Sequence, residues 1–188
     1  MRKLVLFAHI SLDGFAGDIN GDLGFLSYNE ELQQFAQDLV KTVGAPVYGK
    51  NTYRLMASYW PTVLDDPNAD KHSLDHARWV QQIPKVVFST TLPSADWNNT
   101  TLINGNVVEK VNKLKQQPGK DLVIFGSPGL AKSLMNLGLI DDYKLTLHPV
   151  ILGEGISLFD SNTQMRTLKL LESKTLGSGV VTLHYTAR

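Results

Sequence analysis

Short apolar runs alternate with longer amphipathic stretches along most of this chain. The runs are rich in Val, Leu and Ile and too short for helices, which is typical of buried strands. We therefore predict strands over residues 3–8, 46–48, 85–89, 122–125 and 143–148. Between the runs, apolar residues recur at helical spacing, as in the stripe formed by Leu32, Phe35, Ala36, Leu39, Val40 and Val43.

Local signals mark several helix boundaries. Gly49 leads into a helix that we expect to end at Trp60-Pro61, before a polar, acidic loop over residues 65–75. Asn106 and Ser127 are each placed to cap a helix through the side chain. Pro128 suits the first position of the second of these helices, and Gly138 suits its end.

The last part of the chain has strands without helices between them. Two strands are predicted near 167–171 and 180–185, joined around Gly177-Ser178-Gly179. Such neighbours pair antiparallel, whereas strands alternating with helices pair in parallel. The pattern predicts an α/β three-layer domain over residues 1–188, with a mostly parallel central sheet and an antiparallel C-terminal edge.

Composition narrows the possible chemistry. The 188 residues carry 18 basic and 18 acidic side chains, so the sequence gives no reason to expect nucleic-acid or membrane binding. Cysteine is absent, which excludes disulfides and thiolate metal sites. His72 and His76 lie one helical turn apart without a third ligand at a known spacing, so no metal is expected. The apolar N-terminal run is too short for a signal peptide, and we expect a cytoplasmic protein.

Residues 123–131 are the strongest candidate for an anion site. A buried strand stops at Gly126-Ser127-Pro128-Gly129, where a helix begins. A helix start exposes free backbone N–H groups at the positive end of the helix dipole, which suits a pyrophosphate. An ordinary strand-to-helix turn is the alternative.

Residues 44–51 nearly match a phosphate-binding P-loop but fail at two places. Asn51 stands where magnesium binding requires Ser or Thr, and residues 46–48 form a strand inside the loop that the motif needs. ATP binding is therefore not expected. Gly49, Lys50 and Thr52 instead indicate a strand-to-helix turn with a positive charge, either in a nucleotide site or on a plain surface.

Several segments together resemble the dihydrofolate reductase-like family, which includes the reductase domain of bacterial riboflavin biosynthesis. The resemblance is greatest to the single-domain RibD C-terminal branch and covers essentially the whole chain. It is carried by residues 11–15 (Ser-Leu-Asp-Gly-Phe), 49–53 (Gly-Lys-Asn-Thr-Tyr), 123–131, 137–143 (Leu-Gly-Leu-Ile-Asp-Asp-Tyr) and 145–159 (Leu-Thr-Leu-His-Pro-Val-Ile-Leu-Gly-Glu-Gly-Ile-Ser-Leu-Phe).

The resemblance implies an NADPH-dependent reductase. Hydride would pass to a C=N or similarly electrophilic carbon of a small pterin or pyrimidine, as in dihydrofolate reductase or the riboflavin-pathway reductase. Relatives often pair, so a homodimer is expected, with the late strands and residues 149–159 as its surface. A non-catalytic nucleotide-binding protein that retains the NADPH pocket stays open as an alternative, as does a flavin or quinone reductase.

The resemblance also implies the site residues. The turn and helix start after the fourth predicted strand, at residues 126–131, would hold the pyrophosphate. The turn at residue 49 would hold the adenosine end, where Lys50 would meet the 2′-phosphate, and residues 89–90 would flank the adenosine. The first strand and loop would meet the nicotinamide. The set is Ala8, His9, Ala16, Gly49, Lys50, Asn51, Thr52, Ser89, Thr90, Phe125, Gly126, Ser127, Pro128, Gly129, Leu130 and Ala131.

Glu31 is the candidate proton source. Folate-reducing members place a carboxylate early in the first helix, followed by Leu and Phe at the spacing of Glu31, Leu32 and Phe35. Glu30 beside it offers an alternative. Acidic residues in a first helical turn also complement the helix dipole without any catalytic role.

Overall fold

The computed structural model describes residues 1–159, 161 and 163–188. Within these residues the elements in chain order are β1 (Leu4–Ser11), α1 (Glu30–Thr42), β2 (Val43–Gly49), α2 (Lys50–Val63), α3 (Lys71–Gln82), β3 (Lys85–Phe88), β4 (Thr100–Ile103), α4 (Val107–Gln116), β5 (Asp121–Phe125), α5 (Pro128–Asn136), β6 (Asp142–His148), β7 (Leu168–Thr175) and β8 (Val181–Ala187).

The strands form one mixed sheet in the order β4-β3-β2-β5-β1-β6-β8-β7. The pairs from β4 to β6 are all parallel, while β8 pairs antiparallel with both β6 and β7. The predicted parallel sheet with an antiparallel C-terminal edge is confirmed. The central strand β1 lies between β5 and β6, with Leu6 opposite Ile124 and Tyr143.

Helices cover both faces of the sheet. Along β1, Leu4, Leu6 and Ala8 pack on one face in a core shared with α4 and α5. Val5 and Phe7 point to the other face, where they pack with α1 and with Trp79 of α3. Successive side chains of a strand alternate between the two faces of the sheet. A strand that is apolar on both faces therefore needs helices packed on both faces. The predicted three layers are confirmed.

Two elements were missed by the sequence prediction. The short strand β4 pairs with β3 at the edge of the sheet, and its Thr100-Thr101-Leu102-Ile103 run is rich in strand-favouring residues. Helix α3 begins inside the segment that was expected to be a loop. Asp70 caps it by accepting hydrogen bonds from the backbone N–H groups of His72 and Ser73, at 2.9 and 3.0 Å.

Two helix ends also differ from the prediction. Helix α2 continues through Pro61 to Val63, whose side chain is buried. A proline in the last turn removes one backbone hydrogen bond, and the burial of Val63 offsets that loss. Val43 begins β2 instead of ending α1, because its side chain packs in the core with Val123.

Neither of the two expected side-chain caps forms. Asn106 and Ser127 have φ values of 44° and 47°, and neither side chain accepts a bond from its own helix. Asn29 does cap α1, with Oδ1 accepting from the Leu32 N–H at 3.0 Å. In the part of the chain that the structure describes, no helix has the length and hydropathy needed to cross a membrane.

Candidate active site

A cavity of about 1330 Å³ opens at the carboxyl ends of the parallel strands. Residues at the ends of β1, β2, β3, β4 and β5 line it, together with the starts of α2 and α5. Ligands of open α/β sheets bind at this edge because the loops and helix starts converge there. All the predicted cofactor residues line this cavity except Ala131, a residue of α5 whose side chain is fully buried in the core. Ala131 was expected to contact the cofactor, but its side chain does not face the cavity.

The start of α5 presents free backbone N–H groups to the cavity. Gly126 has a φ of +56° and Ser127 one of +47°, so the chain turns sharply before Pro128. The first helical bond runs from the Ala131 N–H to the Ser127 carbonyl at 2.9 Å. The N–H groups of Gly129 and Leu130 precede it and have no acceptor within the helix.

Open space lies in front of this turn. A Cβ added at Gly126 or Gly129 would meet no atom within 4 Å, and both residues line the cavity. Uncovered N–H groups beside open space form a cradle that fits a phosphate group. The residues present therefore fit the pyrophosphate of a dinucleotide.

The start of α2 is held against the start of α5. The Gly49 N–H donates to the Ser127 hydroxyl oxygen at 3.2 Å. A Cβ at Gly49 would lie 3.3 Å from the Leu130 Cβ. Close helix packing, rather than close approach of a ligand, explains the glycine. The Ser127 hydroxyl thus binds the neighbouring turn instead of its own helix.

Lys50 lies in a polar corner of the same cavity. Its Nζ donates to the Thr91 hydroxyl at 3.0 Å, and the Ser89 hydroxyl accepts from the Thr91 N–H at 3.2 Å. Lys50, Ser89, Thr90 and Thr91 all line the cavity. An ammonium group beside hydroxyl donors is a suitable binding place for a phosphate.

The loop after β1 is hydrogen-bonded to the glycine-containing segment at residues 152–156, which follows β6. Asp13 accepts from the Gly153 N–H at 2.8 Å and from the Ser11 hydroxyl at 2.6 Å, and the bond to Ser11 is the main cause of its lowered pKa. A Cβ at Gly155 would lie 2.3 Å from the Gly17 carbonyl oxygen. Gly155 therefore allows the two backbones to pack closely. Next to this contact the Ala16 N–H donates to the Ile156 carbonyl at 2.8 Å, which holds Ala16 at the cavity.

Glu31 does not line the cavity. Its Oε2 accepts from the Gly177 N–H at 2.5 Å, on the turn between β7 and β8. Leu32 is fully buried against Leu176 and Val180, which fixes the rotation of α1. The residues of α1 that line the cavity are Gln33, Ala36, Gln37, Leu39, Val40 and Lys41. The geometry does not support Glu31 as the proton source.

An aromatic wall was missed by the sequence reasoning. We use this name for Trp60, His76, Trp79 and Phe125, all of which line the cavity. Their successive ring centroids lie 4.2, 5.0 and 6.1 Å apart. Burial lowers the pKa of His76 to about 4, so this ring is neutral at pH 7. The spacing of His76 and Trp79 in a helix would have revealed the wall, but the start of α3 was predicted to be a loop and the rest of it was assigned to no element.

Two histidines meet behind the cavity. His9 Nδ1 lies 2.5 Å from the Thr146 hydroxyl, which lies 3.2 Å from His148 Nε2. The parallel pairing of β1 and β6 aligns His9 with Thr146 and Ser11 with His148. Burial, and then the neighbouring His148, lowers the pKa of His9 to about 3. Among the described residues no cluster of His, Cys, Asp or Glu could hold a metal ion.

The chain is similar to several known proteins over nearly its whole length. The uncharacterized protein YyaP of Bacillus subtilis (strain 168) is 35% identical over 186 residues, which covers 98% of this chain and 94% of YyaP. A putative riboflavin biosynthesis protein from Shewanella sp. PV-4 has a TM-score of 0.77 at 20% identity, with 99% of each chain covered.

A reductase with a known ligand shares the fold. Dihydrofolate reductase from Enterococcus faecalis, complexed with NADP(H) and RAB-propyl, has a TM-score of 0.63 at 13% identity. The match covers 99% of this chain and 96% of that one. A family model described as the RibD C-terminal domain matches residues 2–182. The sheet order, the cavity at its carboxyl edge and this match agree, and the chain belongs to the RibD C-terminal domain family.

Proposed function

We propose that this protein is an NADPH-dependent reductase that delivers hydride to a C=N or similarly electrophilic carbon of a small pterin or pyrimidine. The observation that carries the proposal is the convergence of two helix starts, at Lys50 and Pro128, with the end of β1 in one cavity. Membership of a family of reductase domains and the shared fold with dihydrofolate reductase support it.

Each part of the cavity has a role in this proposal. The N–H groups of Gly129 and Leu130 bind the pyrophosphate, and Lys50 binds the 2′-phosphate. The end of β1 and Ala16 position the nicotinamide, which supplies the hydride when bound. At about 1330 Å³ the cavity is larger than the roughly 300–1,000 Å³ of usual small-ligand pockets. It therefore has room for the ring of a substrate beside the nicotinamide. The aromatic wall offers that ring a stacking surface.

Binding and turnover test the proposal in sequence. NADPH, NADH and FMN are titrated while tryptophan fluorescence is followed, because Trp60 and Trp79 line the cavity. NADPH oxidation is then followed with dihydrofolate and with a ribosylaminopyrimidine. We expect NADPH to bind more tightly than NADH and to be consumed with one of these substrates. Absence of binding of either dinucleotide would contradict the proposal, and tight FMN binding would favour a flavin-dependent reaction.

The position of Glu31 favours a second candidate, a nucleotide-binding protein without catalytic activity. Its carboxylate is bound to Gly177 and is not available at the cavity. Tight NADPH binding without oxidation on either substrate would support this candidate. If turnover is found, Glu31→Gln should leave it within about twofold, whereas a tenfold loss would restore Glu31 as the proton source.

We also propose that the protein forms a homodimer. Strand β7 is an edge strand whose Leu170 and Leu171 are 48% and 47% exposed, and Ile151 in the late segment is 71% exposed. Unpaired edge strands with apolar side chains favour association. Light scattering at micromolar concentration should give twice the monomer mass, and a monomer mass would contradict the proposal.

A further inference from the structure

A buried hydroxyl connects two imidazole rings behind the candidate active site. Thr146 and His148 are both 0% exposed, and His9 is partly exposed and lines the cavity. The Thr146 oxygen lies 2.5 Å from His9 Nδ1 and 3.2 Å from His148 Nε2. On its other side, His148 Nδ1 accepts from the backbone N–H of Ser27 at 3.4 Å.

The direction of these bonds follows from counting protons. A neutral imidazole has one N–H and one acceptor nitrogen. The Ser27 N–H makes His148 Nδ1 the acceptor, so the proton of His148 lies on Nε2 and is donated to the Thr146 oxygen. The Thr146 hydroxyl proton then needs an acceptor, because a buried donor without a partner is costly. Within the described residues His9 Nδ1 is the acceptor left for it.

The tautomer of His9 is fixed as a result. With Nδ1 accepting from Thr146, the single ring proton of His9 lies on Nε2. The Nδ1 edge faces a fully buried residue, so the Nε2 edge is the part of the ring that is left to face the cavity. The Phe7 and His148 rings pack edge-on against His9, with centroids at 4.9 and 5.6 Å, and hold its orientation. The low pKa of His9 keeps the ring neutral, so the donor persists across physiological pH.

We propose that the chain Ser27–His148–Thr146–His9 holds the Nε2–H of His9 as a fixed hydrogen-bond donor to an sp² acceptor of the ligand, a carbonyl oxygen or an imine nitrogen. The role rests on the proposed function, whereas the tautomer rests on the structure alone. Two sources could supply the acceptor: the carboxamide of a nicotinamide, or the reducible bond of the substrate.

The donor has a defined effect if the acceptor belongs to the substrate. Hydride adds to the carbon of the C=N or C=O bond, and the π electron pair moves onto the nitrogen or oxygen that accepts from His9. A proton from solvent water completes the reduction, and the nicotinamide is oxidised. A neutral imidazole stabilises the developing negative charge without giving up its own proton.

Nitrogen NMR of ¹⁵N-histidine-labelled protein tests the tautomer directly. Protonated and unprotonated ring nitrogens resonate far apart, and the His9 signals are identified by their loss in His9→Gln. We expect an unprotonated Nδ1 and a protonated Nε2 from pH 5 to pH 8. In Thr146→Val, which keeps the shape but removes the hydroxyl, both tautomers should become populated. Protonation of His9 on Nδ1 in the wild type would overturn the proposal.

Ligand titrations on the same sample locate the acceptor. NADP⁺ is added first, and then folate or 5,6-diaminouracil. A shift of the His9 Nε2 resonance with NADP⁺ alone assigns the acceptor to the nicotinamide, and a shift with a ring compound assigns it to the substrate. A resonance unchanged by all three compounds overturns the ligand role. Failure of NADP⁺ to bind, by contrast, counts against the proposed function and not against the tautomer.

Matched variants separate the donor from packing. His9→Gln keeps an N–H near the position of Nε2, whereas His9→Phe keeps only the ring. The ligand that shifts the resonance should bind about fivefold more weakly to His9→Phe and within about twofold of the wild type to His9→Gln. His184→Asn is the control, because His184 bonds to Asp142 and does not line the cavity. Equal weakening in His9→Gln and His9→Phe would show that the ring only packs.

Discussion

The backbone N–H of Gly49 donates to the side-chain oxygen of Ser127 across 3.2 Å. The two residues stand at the starts of α2 and α5, 78 positions apart in the chain. Ser127 is 4% exposed, so water does not compete well for the bond. This contact fixes the two candidate phosphate-binding turns relative to each other.

Ser127→Ala should weaken both the fold and cofactor binding. Loss of the acceptor leaves the Gly49 N–H without a partner in a partly buried place, at a cost of about 1–2 kcal/mol in the free energy of unfolding. Urea denaturation measures that cost. NADPH affinity should fall as well, because the two turns are no longer held together. Ser58→Ala, which removes an exposed hydroxyl of α2, is the control. Equal stability of both variants would mean that the contact contributes nothing.

Lys50→Ala should remove most of the preference for NADPH over NADH. The ammonium group lies at the cavity and donates to the Thr91 hydroxyl at 3.0 Å. Because that hydroxyl is neutral, it does not neutralise the positive charge, which is available for a phosphate. We expect the wild type to prefer NADPH by about 1 kcal/mol or more, since charge-assisted hydrogen bonds are the stronger kind. Isothermal titration of both dinucleotides measures the difference. Lys113 on α4 does not line the cavity, so Lys113→Ala should leave the preference for NADPH unchanged. An unaltered preference in Lys50→Ala would place the phosphate elsewhere.

Gly129→Ala should block cofactor binding without harming the fold. A Cβ at this position would meet no atom within 4 Å, and the φ of Gly129 is not in the left-handed region. Alanine at such a helical position raises stability by about 0.4–1 kcal/mol. The methyl group would stand where the pyrophosphate approaches the backbone, so we expect at least a tenfold loss of NADPH affinity. Gly24→Ala, also in open space but outside the cavity lining, is the control. Unchanged affinity in Gly129→Ala would show that the turn is only structural.

His76→Phe should reduce the loss of stability in acid. Burial lowers the pKa of His76 to about 4 from its ordinary 6.5, so between these pH values the unfolded chain binds a proton that the folded protein does not. Stability therefore falls as pH drops below 6.5, by about 2 kcal/mol at pH 5 from this residue. Phenylalanine keeps a ring between Trp60 and Trp79 but cannot be protonated.

Urea denaturation at pH 5 and pH 7.5 measures the effect. The difference in unfolding free energy between the two pH values should be smaller in His76→Phe than in the wild type. His72→Phe changes an exposed ring on the same helix and serves as the control. The same pH dependence in all three proteins would contradict the burial of a neutral His76.

The sequence by itself determined the order and type of most elements and the place of the cavity-forming turns. Strand and helix periodicities are local properties, and so is the Gly126–Gly129 turn, in which a sharp backbone reversal needs small residues. The missed α3 shows the limit of local signals. Its segment is polar, and its helix is stabilised by the burial of Ala77 and Val80. Val80 is buried because Tyr48 of β2, Tyr53 of α2 and Val87 of β3 pack in the same cluster.

Only the tertiary structure decided which side chains meet. Glu31 has the spacing of a catalytic acid, but the burial of Leu32 against the β7–β8 hairpin turns its carboxylate to Gly177. His9 and His148 lie 139 positions apart and come together because β1 pairs with β6 in one register. A shift of that pairing by one residue would send every side chain of a strand to the opposite face. Local sequence fixes neither strand register nor helix rotation, since both depend on burial against distant residues.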